Sequence, residues 1–64
     1  MDKQKCKITK WILMSSVTAY FTLYGVIVEH PKLSSGKIVC TSRLLSINFD
    51  DMIAETENSI YELI

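Results

Sequence analysis

The chain has 64 residues, 48% of them hydrophobic and 22% charged, and its formal net charge is zero. This length allows one domain with a small core, and this composition excludes a disordered chain. Two cysteines and one histidine without metal-ligand spacing make no zinc-binding pattern, so we expect self-association to supplement so small a core.

The charges are divided unevenly along the chain. Residues 1–43 carry all seven cationic side chains and two acidic ones, a net charge of +5, whereas residues 44–64 carry five acidic side chains and no cation. Three arrangements suit this pattern: the two halves lie side by side in one molecule, the molecules assemble head to tail, or the basic end meets an anionic partner.

Residues 1–10 contain four lysines, at positions 3, 5, 7 and 10. The alternation of the first three places them on one side of an extended segment, as on a charged edge strand that resists unwanted pairing. We predict a basic N-terminal arm or edge strand over residues 1–10 and a single small β domain over residues 11–64.

Residues 11–28 form an uncharged segment of 18 residues directly after these lysines, which is the outline of a membrane anchor. Serines, threonines and Gly25 interrupt its apolar run, and no small-x-small cleavage pattern follows it. We therefore predict a soluble, cytoplasmic protein without a membrane segment.

Residues 18–28 are the centre of the predicted domain, because they are rich in the β-branched and aromatic side chains that suit a strand. A short strand over residues 11–14 and a turn at Ser15 and Ser16 precede it. Gly25 indicates a bulge or a tight bend. Period-two alternation gives a core face and a second face that suits another layer or a contact surface. The core face carries Ala19, Phe21, Leu23 and Ile27, and the second face carries Tyr20, Thr22, Tyr24, Val26 and Val28.

A connection over residues 29–36 follows, marked by Pro31 and Gly36. Residues 37–49 then form a second long strand, in which Leu44, Leu45, Ile47 and Phe49 are the apolar positions after residue 43. The apolar phase shifts near residue 43, which indicates a bulge there.

Two tight turns divide the remaining residues. Asn48 with Asp50 and Asp51 marks the first, and Glu57 with Asn58 marks the second, which leaves strands over residues 52–56 and 59–63. We predict an all-β fold, a small five-stranded antiparallel meander that is either an SH3-like barrel or a curled sheet. A C-terminal helix is the local alternative, because residues 50–64 also fit helical spacing.

No group of side chains predicts catalysis. We expect Cys40 to be a buried small side chain and Cys6 a surface thiol, with a disulfide between them as the alternative in an oxidising compartment. His30, next to Pro31, is expected to hold its turn through a backbone hydrogen bond. We predict no enzyme activity, no metal and no cofactor.

The second half of the chain also holds a polar set that strand geometry would gather. Hydroxyls, an amide, an arginine and an aromatic ring suit a site for an anion or a nucleotide. Alternatively, the hydroxyls and the amide satisfy backbone groups in turns and bulges. The set consists of His30, Lys32, Thr41, Ser42, Arg43, Asn58, Ser59 and Tyr61.

The order of residues in this half matches a known pattern. It runs through His30-Pro31-Lys32, Gly36, Val39, Thr41-Ser42, Ile47, Thr56, Asn58-Ser59, Tyr61 and Leu63. Between residues 24 and 63 it resembles a family of very small, uncharacterised bacterial and phage proteins with a His-Pro…Gly…Thr-Ser…Asn-Ser-x-Tyr-x-Leu pattern. Glu29, Lys32 and Ser35 depart from the family's usual residues. The resemblance implies a setting, since tiny proteins of phages and mobile elements often bind a host factor.

Two functions fit these expectations. The alternative is a small β-barrel that binds a nucleotide or nucleic acid through Arg43, Lys32, His30 and Tyr61. The function we favour is a self-associating, non-enzymatic interaction module of phage or mobile-element type. Such a module binds and inhibits a host protein, for example a defence component, with buried aromatic and arginine anchors. The candidate contact residues are Tyr20, Tyr24, Lys32 and Arg43.

Overall fold

The structure is a computed structural model that describes residues 3–15 and 20–64. These residues form strands and turns and contain no helix, which confirms the predicted all-β class. The strands are β1 (Gln4–Ser15), β2 (Phe21–Glu29), β3 (Ile38–Asn48), β4 (Ile53–Thr56) and β5 (Ser59–Leu63). The predicted turn residue Ser16 and the predicted strand residues Thr18 and Ala19 lie outside the described residues.

Each strand pairs in antiparallel orientation with the next strand along the chain, as the predicted meander requires. The ring is closed by β1 and β5, which pair in parallel from Gln4 opposite Ser59 to Ile8 opposite Leu63. An odd number of strands in an alternating ring leaves one parallel pair, and here it is the closing pair. The five-stranded meander is therefore confirmed, and it closes on itself.

The core is small and lies where the ring is closed. Its buried apolar residues come from β1, β2, β4 and β5, with Leu23, Ile8 and Ala54 completely inaccessible to solvent. Half-buried side chains of β3 and of the adjoining loop pack around it. The buried apolar residues are Cys6, Ile8, Leu23, Ile27, Ala54, Tyr61 and Leu63.

The first strand differs from its predicted bounds. β1 begins at Gln4 rather than at residue 11, and residues 4–8 pair with β5 while the strand from Lys7 onwards pairs with β2. Residues 4–9 are therefore paired within the ring and do not form a separate arm. The reason is strand alternation. Lys5 and Lys7 point outward, and the alternate residues Cys6 and Ile8 point into the core.

A bulge interrupts β1 opposite Gly25. Thr9 pairs with Val26 and Ile12 with Tyr24, so two residues of β1, Lys10 and Trp11, lie across from Gly25 alone. Lys10 has a φ of 50°, the left-handed conformation that such bulges use. A Cβ on Gly25 would lie 3.0 Å from the carbonyl oxygen of Thr9 and from the side chain of Ile8. The glycine thus permits close approach of the strands, while the extra residue is on the partner strand.

The phase shift predicted near residue 43 is confirmed, and it consists of two irregularities. Thr22 pairs with Arg43 but Tyr24 with Cys40, so β3 has one extra residue at Thr41 and Ser42. A second shift between Leu44 and Ser46 leaves Leu45 outside the regular register.

These shifts change which apolar side chains are buried. Of the four apolar positions predicted after residue 43, Leu44 and Ile47 pack against the core, whereas Leu45 and Phe49 are exposed. Phe49, the predicted last residue of this strand, lies just after β3. In β2, Leu23 and Ile27 are buried as predicted, but Phe21 is more than half exposed because it lies beyond the closed part of the ring.

The two turns predicted after β3 are confirmed, whereas Ser15, predicted as a turn residue, lies in β1 and pairs with Phe21. Asn48 Oδ1 accepts hydrogen bonds from the backbone amides of Asp50 and Asp51, at 2.9 and 3.1 Å, and β5 begins directly after Glu57 and Asn58. His30 Nδ1 accepts hydrogen bonds from two backbone amides of the connection after β2, Lys32 at 3.0 Å and Leu33 at 3.1 Å. The expectation that His30 holds its turn is confirmed, and its Nδ1 lone pair is engaged.

Nothing helical within residues 3–15 and 20–64 has the length and hydropathy that crossing a membrane would need.

Candidate protein-binding surface

The two halves of β1 have different neighbours. β5 ends at Leu63, opposite Ile8, and the backbone amide of Ile64 makes one further bond to the carbonyl of Ile8 at 2.8 Å. Beyond Thr9, whose hydroxyl donates to the carbonyl of Ile64, β1 is paired with β2 and with no other described strand. Residues 12–15 and 21–24 consequently form a ribbon that extends past the closed ring and is bordered by β3 on the β2 side only.

The outward side of this ribbon continues across β3 in three cross-strand rows. Leu23, Gly25 and Ile27 point inward and are buried, so the alternate residues of β2 point outward. The rows are Thr9–Val26–Ile38, Ile12–Tyr24–Cys40 and Met14–Thr22–Arg43.

Large apolar side chains dominate these rows. We use the name outer apolar face for Ile12, Met14, Tyr24 and Ile38 of these rows together with Tyr20, which precedes β2 at the same alternation as Thr22 and Tyr24; all five are exposed. Ile12 is 55% exposed and Ile38 60%. At about 200 Å² for a large side chain, the five leave on the order of 500 Å² uncovered. The largest patch on a typical monomer is about 300–600 Å² and is often functional.

A polar margin borders this face on β3. Arg43 is exposed beside Thr22, and the Cys40 thiol donates to the Thr22 hydroxyl at 3.5 Å. An aromatic and aliphatic centre with an arginine at its edge has the composition of a protein-binding surface.

The inward side of the ribbon is also apolar where it extends past the core. Leu13 and Phe21 are exposed there, and the Trp11 and Phe49 rings stack with centroids 6.3 Å apart. Both faces of the ribbon therefore present apolar side chains to solvent.

Of the four residues predicted to contact a protein, three lie close together and one is apart. Tyr20, Tyr24 and Arg43 are at or beside the outer apolar face. Lys32 lies in the connection after β2, and at about 3.3 Å per residue the length of that strand separates it from Arg43 by roughly 20 Å. Sequence reasoning missed Ile12, Met14 and Ile38, although the absence of charge in residues 11–15 was a usable signal.

The eight residues predicted as a ligand site are not brought together as one set, although Arg43 lies beside the turn that contains Asn58, where its carbonyl accepts from the Glu57 amide at 3.1 Å. His30 and Lys32 lie beyond one end of β2, whereas Arg43 pairs near its other end. Thr41 accepts from the Leu23 amide at 3.0 Å and donates to the Ser42 carbonyl at 2.9 Å, so its hydroxyl serves the bulge. Asn58 is an exposed turn residue, and Ser59 and Tyr61 are buried.

The environments of the two cysteines are the opposite of those predicted. Cys6 is buried, 3% exposed, and Cys40 is exposed, and both are free thiols. The cause is the early start of β1, which turns Cys6 toward the core opposite Tyr61, whereas Cys40 shares the outward row of Tyr24. The disulfide alternative is thereby excluded in this structure.

Cys6, Ser59 and Tyr61 form a buried cluster in which the pKa values of the Cys6 thiol and the Tyr61 phenol are raised. Burial raises the pKa of the Cys6 thiol, against a hydrogen bond with Ser59 that lowers it, and the charge of Glu29 adds to the rise. Burial, with the neighbouring Cys6, likewise raises the pKa of Tyr61. A thiol whose pKa is raised is mostly protonated and a poor nucleophile at neutral pH, so this cluster is structural.

The uneven charges of the chain meet on the outside of β1, β4 and β5. Lys3 Nζ lies 2.6 Å from Glu55 Oε2, and Lys7 Nζ lies 3.8 Å from Glu29 Oε2 and 4.0 Å from Glu62 Oε2. Two of these pairs join the basic beginning to the acidic end, which is the side-by-side arrangement within one molecule.

A groove of 390 Å³ runs along these charges, with Ile53 and Ile60 among its lining residues. Its charged side chains are of both signs, two basic and three acidic. Within the described residues no cluster of three or more histidine, cysteine, aspartate or glutamate side chains has a metal-binding arrangement.

Comparisons of the chain with protein-family models, with curated proteins and with solved structures find no match.

Proposed function

We propose that this chain is a small non-enzymatic protein-binding module that recognises its partner through the outer apolar face. The observation that supports this function is the set of adjacent cross-strand rows in which Ile12, Met14 and Tyr24 are exposed beside Arg43. A tyrosine and an arginine next to aliphatic side chains are typical of residues that dominate binding energy.

The rigidity of the support favours this function. Tyr24 lies in β2 between Leu23 and Gly25, both buried, and is flanked in the sheet by Ile12 of β1 and Cys40 of β3. Side chains held on such a sheet lose little conformational freedom on binding, which lowers the entropic cost of association.

The resemblance of residues 24–63 to small phage and bacterial proteins extends the proposal to the kind of partner. On that basis the chain belongs to a phage or mobile element, acts in the cytoplasm of the host, and inhibits the host protein that it covers. A protein that inhibits its partner by covering the partner's surface needs no catalytic group. An exposed apolar face suits this kind of inhibition.

The nucleotide-binding alternative has less support. Its residues lie at separate places on the fold, and His30 Nδ1 and the Thr41 hydroxyl are engaged with the backbone. Stacking platforms for bases combine aromatic rings with a basic groove, and Lys3 and Lys7 are instead paired with glutamates.

Affinity purification from the lysate of a host cell tests the proposal with two matched pairs of variants. Tyr24→Ser and Ile53→Ser remove side chains of similar exposure, 39% and 41%, from the outer apolar face and from β4. Arg43→Ala and Lys37→Ala remove one exposed cation each, at the face and before β3.

We expect the unmodified chain, Ile53→Ser and Lys37→Ala to retain the same host protein. Tyr24→Ser and Arg43→Ala should each lower its recovery at least about tenfold, as loss of a dominant contact does. Equal recovery with all four variants would contradict the proposed face. A thermal shift with nucleotides that Arg43→Ala abolishes would favour the alternative function.

A further inference from the structure

The second half of β1 has an unprotected strand edge. β5 stops at Leu63 opposite Ile8, so from Lys10 to Ser15 one side of β1 faces no described strand. Backbone N–H and C=O groups of alternate residues on such a side lack a strand partner and form a template for pairing.

Proteins usually protect free edges with proline, with charged side chains or with a covering segment. Residues 11–15 read Trp-Ile-Leu-Met-Ser and contain neither a proline nor a charge. Ile12, Leu13 and Met14 are exposed, so apolar side chains flank this edge on both faces of the ribbon. An edge of this composition is suited to a strand of equally uncharged composition.

We propose that the free edge of β1 pairs in antiparallel orientation with the same edge of a second copy, around a two-fold axis near Leu13. This inference concerns the strand edge and is independent of the partner proposed for the outer apolar face.

Charge argues for a second copy as the occupant. The formal net charge of the chain is zero, so two copies approach without overall repulsion. An axis near Leu13 places Ile12 opposite Met14 of the other copy and keeps Lys10 at the far end of the paired segment. An axis displaced toward Lys10 would bring the two lysines together, which is unfavourable for directly opposed strands.

The side chains beside the edge also suit a second copy. Edge pairing places the exposed Ile12, Leu13 and Met14 of one copy next to the same residues of the other, which covers part of their apolar surface. Edge pairing also joins the sheets of two small domains into one, which supplements a core of seven buried apolar residues. The two outer apolar faces would then lie side by side on a continuous sheet.

The test measures the mass of the folded chain over a range of concentrations by sedimentation, with circular dichroism as the check on folding. We expect a dimer for the unmodified chain. Ile12→Lys should weaken the dimer at least about tenfold, because the lysine then faces an apolar side chain across the axis. Adding Met14→Glu to Ile12→Lys should restore it to within about threefold, since each lysine then faces a glutamate.

Ile38→Lys is the matched control, because it places the same charge on the same face two strands away from the edge. It should leave the dimer unchanged. A chain that stays monomeric up to about 100 μM, a dimer unaffected by Ile12→Lys, or a dimer weakened equally by Ile38→Lys would overturn the proposal.

Backbone substitution gives a second test that introduces no new side chain. N-methylation of the Leu13 amide and of the Met14 amide is made in two separate synthetic chains. Neighbouring amides of a strand point to opposite sides, so one methyl group faces β2 and the other faces the free edge. We expect the chain whose methyl group faces β2 to misfold, and the chain whose methyl group faces the free edge to fold as a monomer. Two misfolded chains, or a folded chain that still dimerises, would overturn the proposal.

Discussion

The two halves of β1 differ in an unexpected way, because the more apolar half is the one that is more exposed to solvent. Its charged half, which includes Lys5 and Lys7, is paired with β5 over residues 4–8 and with β2 from Lys7 onwards, and it places Cys6 and Ile8 in the core. Its uncharged half, residues 11–15, is paired on one side and leaves Ile12, Leu13 and Met14 exposed. A strand whose more apolar half is the exposed one is organised for contact with another surface as well as for folding.

The largest expected effect contrasts two isoleucines of this one strand. Ile8 is fully buried and Ile12 is 55% exposed. Ile8→Ala should lower the free energy of unfolding by about 2–5 kcal/mol, because it removes buried methyl and methylene groups and leaves a cavity. Ile12→Ala should cost less than about 1 kcal/mol, because little of its surface is buried.

Urea denaturation of both variants at low protein concentration measures this difference without a contribution from association. A similar loss for the two alanine variants would mean that the second half of β1 is packed as tightly as the first.

The second prediction concerns the junction between the halves. Gly25→Ala places a Cβ 3.0 Å from the Thr9 carbonyl oxygen and from Ile8, and backbone cannot move aside easily. We expect a loss of about 1–3 kcal/mol, the usual effect of overpacking.

Gly36 is the control glycine, since it has no atom within 4 Å of an added Cβ but has a φ of +91°. Gly36→Ala should therefore cost about 1 kcal/mol through backbone conformation alone. Thermal melting of both variants tests this order, and a harmless Gly25→Ala would show that β1 and β2 are not closely apposed at the bulge.

The third prediction uses pH to distinguish tyrosines of the two regions. Burial raises the pKa of Tyr61 from its ordinary value of 10.0 and that of Cys6 from 9.0. The folded chain therefore holds these protons more tightly than the unfolded chain. Stability is complete below the unfolded values and declines as the pH rises through them toward the higher folded values.

Tyr61→Phe should reduce this alkaline loss of stability, whereas Tyr24→Phe, on the outer apolar face, should leave it unchanged. Urea midpoints between about pH 8 and about pH 11 provide the measurement. The interpretation of the buried cluster would be wrong if both variants had the same alkaline profile as the unmodified chain.

The smallest expected effect comes from the ion pair that joins the beginning of β1 to β4. Lys3→Met removes the contact with Glu55, whose side chain is 42% exposed, together with a hydrogen bond to the Thr56 carbonyl. We expect a loss of less than about 1 kcal/mol that diminishes in high salt, as for other surface pairs. Lys37→Met is the control, and the two variants should become equally stable at high ionic strength.

The sequence predicted the strands best where turn residues are explicit. Asn48 specifies its turn through hydrogen bonds from the amides of Asp50 and Asp51. Glu57 and Asn58 mark a turn that the Thr56 hydroxyl holds by bonding to the backbone of Ser59, so the strands on either side were located closely. The shift near residue 43 was visible because the apolar positions change phase along a single strand.

The beginning of β1 and the environments of the cysteines were not predicted, for a common reason. The four lysines of residues 1–10 indicated a basic arm or edge strand, although Cys6 and Ile8 alternate with the lysines at strand spacing. Whether an amphipathic strand is an edge or a member of a closed ring depends on pairing with Ser59 and the residues after it, more than fifty positions away. Local sequence contains no direct signal for such a pairing.

Amide hydrogen exchange along β1 tests the central claim most directly, because it reports both halves of one strand in one experiment. In dilute solution we predict slow exchange at residues 6–8 and fast exchange at alternate amides of residues 12–15, and these fast amides should become protected as the concentration is raised. Equal protection of both halves in dilute solution would contradict the account.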